Sequence, residues 1–201
     1  MAYYTLLDAW EAYENGKLEL AAQIWEALIA TAPDADTRRN HELGYSYVLI
    51  AQKEFEQARS MLQQNHRETL STVYLHQLGI VEREAGRYEE ALQCFTQERE
   101  VLTPENYFAL AANAHELGML SFKLNQTEAA QHHAESCLAD ARRAQDTLTE
   151  GCALRLLGDM AAAGGELEQA REQYAAAQVC FTQLEDNTAV QEIQIRLAAL
   201  D

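Results

Sequence analysis

Residues 75–95 read Leu75-His76-Gln77-Leu78-Gly79-Ile80-Val81-Glu82-Arg83-Glu84-Ala85-Gly86-Arg87-Tyr88-Glu89-Glu90-Ala91-Leu92-Gln93-Cys94-Phe95. Apolar groups recur at helical spacing on both sides of Ala85-Gly86-Arg87. Glycine in that break can take the left-handed conformation that ends a helix, so the segment folds back on itself as a helix hairpin.

The phrase at the heart of this stretch occurs four times: His41-Glu42-Leu43-Gly44, His76-Gln77-Leu78-Gly79, His115-Glu116-Leu117-Gly118 and Arg155-Leu156-Leu157-Gly158. Successive glycines lie 35, 39 and 40 residues apart, the range of helix-turn-helix repeats. Downstream come a small residue and, four positions on, a bulky one: Ala58 and Leu62, Ala91 and Phe95, Ala170 and Tyr174. An earlier hairpin lacks the Leu-Gly but keeps Ala21, Trp25 and then Pro33. The second hairpin is less regular: Gly44 to Ala58 is 14 residues, whereas 12 separate Gly79 from Ala91, Gly118 from Ala130 and Gly158 from Ala170.

Breaks at Glu14-Asn15-Gly16, Ala85-Gly86-Arg87, Leu124-Asn125-Gln126 and Ala163-Gly164-Gly165 place helix pairs at 3–15 with 18–31, 36–51 with 54–65, 70–85 with 88–102, 105–124 with 127–145 and 148–163 with 166–185. A last segment from Asn187 to Leu200 starts on an N-capping residue, continues with apolar groups at helical spacing, and is expected to cap the array. Residues 1–201 are thus expected to form one domain. Gly and Ala of the motif are expected where the two helices of a hairpin cross closely, with the bulky residue filling the space against the next hairpin.

The pattern resembles the tetratricopeptide repeat, Trp-x-x-Leu-Gly-x-x-Tyr followed by Ala-x-x-x-Phe and Pro, over nearly the whole chain. The resemblance implies an all-α, right-handed superhelical solenoid of about five antiparallel hairpins plus the capping helix. The later repeats, of about 40 residues, resemble the long-helix variety found in kinesin light chains, polarity scaffolds and bacterial peptide-pheromone receptors. In such arrays the first helix of each hairpin lines the concave side, where ligands lie. With Leu-Gly as the anchor, the resemblance places His41, Tyr45 and Val48, then His76, Ile80 and Arg83, then His115, Met119 and Phe122, then Arg155, Asp159 and Ala162 on that side. Each set is spaced i, i+4, i+7, one face of a helix. A column of His41, His76, His115 and Arg155 beside one of Tyr45, Ile80, Met119 and Asp159 reads either as a peptide-binding wall or as packing between hairpins.

Chemistry is scarce by comparison. No glycine-rich phosphate cradle, nucleophile elbow or His-Glu-x-x-His occurs, so no cofactor and no enzymatic role is expected. Helices packed 8–10 Å apart cannot bring three stacked histidines onto one metal whose bonds are about 2 Å long, and His133 with Cys137 lacks further ligands. Cys94, Cys137, Cys152 and Cys180 are scattered and read as buried reduced thiols. The runs Glu82-Arg83-Glu84 and Glu98-Arg99-Glu100 read as solvated faces with local ion pairs.

Fifteen Lys plus Arg against 32 Asp plus Glu give a net charge of −17, which repels phosphate backbones and anionic lipids. Direct nucleic-acid binding and membrane association are therefore not expected. No 18-residue apolar stretch and no basic-then-apolar N-terminus is present, which reads as a cytoplasmic protein. Some members of the family grip the acidic C-terminal tails of heat-shock chaperones with a clamp of Lys, Asn and Arg on this face; that partner is disfavoured here, because Tyr45, Ile80, Met119 and Asp159 follow the motif glycines where the clamp has Asn and no Lys occupies the His positions. The expected function is a scaffold or adaptor that holds a protein or peptide segment. A regulatory sensor for a peptide or small molecule, acting through another protein, is the alternative. Homo-oligomerisation through an N-terminal helix bearing Tyr3, Tyr4, Leu7 and Trp10 is a third reading.

Overall fold

A computed structural model describes residues 4–200. Among these are eleven α-helices and no strand, and no helix is long and apolar enough to cross a membrane. The helices are α1 (Leu6–Glu14), α2 (Leu18–Ala30), α3 (Ala35–Ala51), α4 (Phe55–Thr69), α5 (Thr72–Glu84), α6 (Tyr88–Val101), α7 (Tyr107–Lys123), α8 (Thr127–Ala144), α9 (Thr147–Ala163), α10 (Leu167–Gln183) and α11 (Asn187–Ala198). Five hairpins and a terminal helix follow in the expected order. Tyr3 lies outside the described residues, and α4 runs four residues further than its apolar spacing implied.

All four expected breaks are turns in which one residue adopts a positive φ: Gly16, Gly86, Asn125 and Gly165. Lys53, Leu70, Gln145 and Glu185 do the same without being glycine, which is why sequence punctuation did not mark them. Each ends a helix whose successor packs back at once, so tertiary packing carries the left-handed strain of about 1–2 kcal/mol.

The chain divides into two compact units, Met1–Cys94 and Phe95–Asp201. In the first, Ala9, Ile24, Trp25, Val48, Leu49, Leu62 and Val81 build a single core. In the second, a core of Leu154, Tyr174, Phe181 and Ile193 neighbours a smaller one of Ala130, Ala134, Leu157 and Met160. The second unit keeps a strict forty-residue step. Asn106, Asp146 and Asp186 cap α7, α9 and α11, each side chain accepting from the backbone N–H three residues on (Ala109, 3.2 Å; Thr149, 3.1 Å; Ala189, 2.9 Å). The terminal helix α11 therefore stands in the register of a first helix of one further repeat.

The motif glycines mark close approaches, but not only within a hairpin. A methyl group on Gly158 would meet the ring of Tyr174, its partner in the same hairpin, at 2.6 Å. On Gly118 it would meet Leu156 of the next hairpin at 3.0 Å, and on Gly44 the indole of Trp25 from the hairpin before. The bulky residue chosen by each repeat decides which neighbour occupies the space that glycine leaves.

The two acidic runs need correction. Glu82 is 5% exposed and Glu98 4%. Glu82 receives both Nε and Nη2 of Arg59 on α4, the latter at 2.8 Å. Glu98 accepts from the Nδ2 of fully buried Asn113 at 2.8 Å. These carboxylates are not solvated; they join successive helices.

Candidate functional site

The first helices of four hairpins bury their residues in the same rhythm. On α5, α7 and α9 the motif glycine and its apolar neighbours are covered, while the residues at −3, +1 and +4 from it remain half-buried. Those are His76, Ile80 and Arg83; His115, Met119 and Phe122; Arg155, Asp159 and Ala162, the sets that the repeat resemblance picked out.

On α3 the rhythm is shifted by two residues. Tyr45 and Val48, expected on the open face, are 5% and 0% exposed, and the Tyr45 hydroxyl donates to Glu26 on α2 at 2.8 Å. The residue twelve before Ala58 is Ser46, fully buried, its hydroxyl turned onto the Leu43 carbonyl at 2.6 Å. Ser46 is the small residue of this repeat, and Leu43, Tyr47 and Ile50 form its open face. Gly44 is needed for Trp25, not for the hairpin crossing. The 14-residue spacing to Ala58 was the sequence sign of this slip. In the first hairpin Ala9, also fully buried, takes the glycine position, so Trp10 and Tyr13 follow it on the corresponding face.

This correction assembles a site in the first unit that the sequence columns did not show. Trp10 stands edge-on to Trp25 at 5.4 Å, to Tyr47 at 5.7 Å and to Tyr13 at 5.9 Å between ring centroids. His41, though off the open column, lies 6.2 Å from Trp25. With Leu6, the rings of Trp10, Trp25, His41 and Tyr47 line a groove of about 430 Å³. Leu6 and Tyr47 are 47% and 37% exposed. The Nε1 of Trp25 and the Nδ1 of His41 are buried without a hydrogen-bond partner. Amphipathic rings with polar atoms suit recognition of a peptide side chain and its amides.

Burial behind Tyr45 and its bond to Glu26 push its hydroxyl up to about 12. An unfolded tyrosine ionises near 10, so this contribution to stability is complete below pH 10 and vanishes as pH rises to 12. The melting temperature is expected to fall across that window in the native chain and less in Tyr45→Phe; equal slopes in alkaline thermal melts would refute the assignment.

In the second unit the corresponding face is polar and partly taken. Arg155 pairs with Glu192 of α11 at 3.1 Å, and Asp159 accepts from Arg196 of α11 at 2.9 Å and from the Tyr174 hydroxyl at 2.7 Å. Arg155 also lies over the Phe181 ring at 5.7 Å. His115 and Met119 border the same depression, of about 310 Å³. Two of the expected partner-binding residues thus engage the terminal helix.

Among the described residues no three His, Cys, Asp or Glu side chains converge as a metal site would require. Cys137 is fully buried between Ala114 and Ala153, and burial pushes its thiol up to about 12 and that of Cys94 up to about 11. At pH 8 about one Cys137 in 10⁴ is the reactive thiolate. Neither thiol is expected to react within minutes with an alkylating reagent in the native protein, while both react at once in denaturant. Fast labelling of native Cys137 in a peptide map would contradict this.

A model of the tetratricopeptide repeat-like domain matches residues 1–118. No curated protein sequence matches the chain. Among solved structures, BtubC (BKLC) from P. vanneervenii superposes with a TM-score of 0.74 at 13% identity, covering 92% of this chain and 80% of that one. PilF from Pseudomonas aeruginosa gives 0.67 at 15% identity, covering 96% and 88%. A kinesin-light-chain protein of nearly identical TPR-like repeats from Podosopora anserina gives 0.65 at 16% identity, covering 88% and 92%. These likenesses concern the fold; the family model, which spans more than half of the chain, shows that the chain belongs to the tetratricopeptide repeat family.

Proposed function

We propose that this protein is a non-catalytic scaffold that holds a peptide or protein segment on the open face of the first helices within one or the other unit. One observation carries the reading. Packing positions repeat from hairpin to hairpin as small residues, Gly or Ser, with Leu, whereas the half-exposed face at −3, +1 and +4 keeps His at −3 on α5 and α7 but varies at +1 and +4: Tyr and Ile on α3, Ile and Arg on α5, Met and Phe on α7, Asp and Ala on α9. A face that only packed on the next repeat would repeat as the core does. The aromatic groove at Trp10, His41 and Tyr47 is the best-formed part of it, supplying rigid rings at low entropic cost.

The test is selection of peptides on the immobilised chain, followed by titration of the winners against variants. Tyr47→Ala, His76→Ala and His115→Ala are each expected to weaken binding by about 1–2 kcal/mol, roughly 5- to 30-fold, for peptides that contact them. Arg83→Glu should act likewise on acidic peptides. Unchanged affinity in all four would move the site off this face.

A further inference from the structure

Helix α11 packs chiefly on α10 and holds two opposite charges of the open face of α9. Along Asn187–Ala198 only Ala189 and Ile193 are buried, against eight residues of α9. Ala189, Glu192, Ile193 and Arg196 are spaced i, i+3, i+4, i+7, a single stripe, and beside it Val190, Leu197 and Leu200 pack partly buried against the core. Of the stripe, Ala189 and Ile193 fill the core beside Leu154 and Tyr174; Glu192 and Arg196 exchange charges with Arg155 and Asp159. The junction to α10 is Leu184-Glu185-Asp186, with Glu185 in the left-handed region at φ 57°, so no glycine fixes that turn.

We propose that α11 is an exchangeable internal occupant of the α9 face, and that the partner fitting this surface in its place is an amphipathic helix carrying the same stripe: small or apolar residues at i and i+4, an acid at i+3 and a base at i+7. The proposal deepens the scaffold reading for the second unit. An acid is required opposite Arg155 and a base opposite Asp159, so a helix of reversed charge order places like charges in contact and is rejected. With two side chains buried and Val190, Leu197 and Leu200 only partly covered, α11 is expected to open locally more often than the core unfolds. Tethering gives α11 an effective concentration in the millimolar range, which is why a free competitor meets a closed face in the unmodified chain.

The probe is a labelled synthetic peptide of residues 187–200, titrated against the full-length chain and against full-length Glu192→Ala/Ile193→Ala. The variant is expected to bind the peptide at least ~10-fold more tightly than the native chain, because its own helix competes less. A peptide with Glu192→Arg and Arg196→Glu should not bind that variant, but should bind once Arg155→Glu and Asp159→Arg are added to it. No binding of the native peptide to a folded variant would overturn the proposal, as would equal binding of both peptides. Hydrogen exchange on the unmodified chain covers the case in which the variant does not fold: α11 amides are expected to exchange at least ~10-fold faster than those of α9 and α10. Equal protection would make α11 an inseparable part of the core. No outside partner enters either measurement, so failure of the peptide selection and failure of this proposal are read separately.

Discussion

Gly44→Ala is expected to destabilise the first unit by about 3 kcal/mol, at the upper end of the range for overpacking a rigid core. An added methyl group would lie 2.7 Å from Cζ2 and 2.9 Å from Cζ3 of Trp25, with Cη2 closer still. The indole is 1% exposed and is braced edge-on by Trp10, so it cannot swing aside without giving up its packing. Either the indole turns off its rotamer or α3 retreats from α2, and both lose contact across the core. The chain has two tryptophans, Trp10 and Trp25, so tryptophan fluorescence reports on this unit directly during denaturant or thermal unfolding. A useful control is Gly164→Ala, where the nearest atoms are carbonyl oxygens at 3.5 Å and φ is −78°. That change should be neutral or stabilise by up to about 1 kcal/mol through the unfolded chain. If Gly44→Ala melts like the native protein, Gly44 is not what seats Trp25.

Removing the carboxylate of Glu82 is the second large effect. Arg59 is 9% exposed and gives Glu82 two hydrogen bonds, the main cause that raises its pKa above the ordinary arginine value. Glu82→Leu would leave a guanidinium in the core with only the solvent-facing Glu56 beside it, at a cost of about 3–5 kcal/mol. Arg59→Met in the same background should recover most of that loss, since the desolvation of both charges disappears with the pair. A double-mutant cycle by denaturant unfolding measures the coupling. If Glu82→Leu alone leaves the midpoint unchanged, the pair is solvated and the buried geometry is wrong. The same logic separates this pair from Arg142 with Glu150 at 2.8 Å, which is exposed and expected to contribute under about 1 kcal/mol.

Both effects arise at positions that the sequence presented in a different light. Gly44 stood in a phrase shared with Gly79, Gly118 and Gly158, and reading it as the same glycine put Tyr45 and Val48 on the open face. In the folded chain Gly44 answers to Trp25, and Ser46 does the work of the other glycines. Glu82 stood beside Arg83 and Glu84 in a run that looks solvated. Whether Arg59, 23 positions earlier, would reach it is not a property of the run.

The sequence alone determined the hairpins, their order and the repeat family, because helical periodicity, turn residues and the Gly/Ala packing code act within a few residues and recur down the chain. On α5, α7 and α9, where each motif glycine lies five residues before the helix end, the residues that the repeat resemblance picked out are half-buried. Tertiary structure decided the register of α3, the burial of Glu82 and Glu98, and the engagement of Arg155 and Asp159 by α11. Each of these depends on which distant helix covers a face. A side chain's spacing says which way it points on its own helix, but only the neighbour packed there fixes whether it meets solvent, an ion pair or an indole ring.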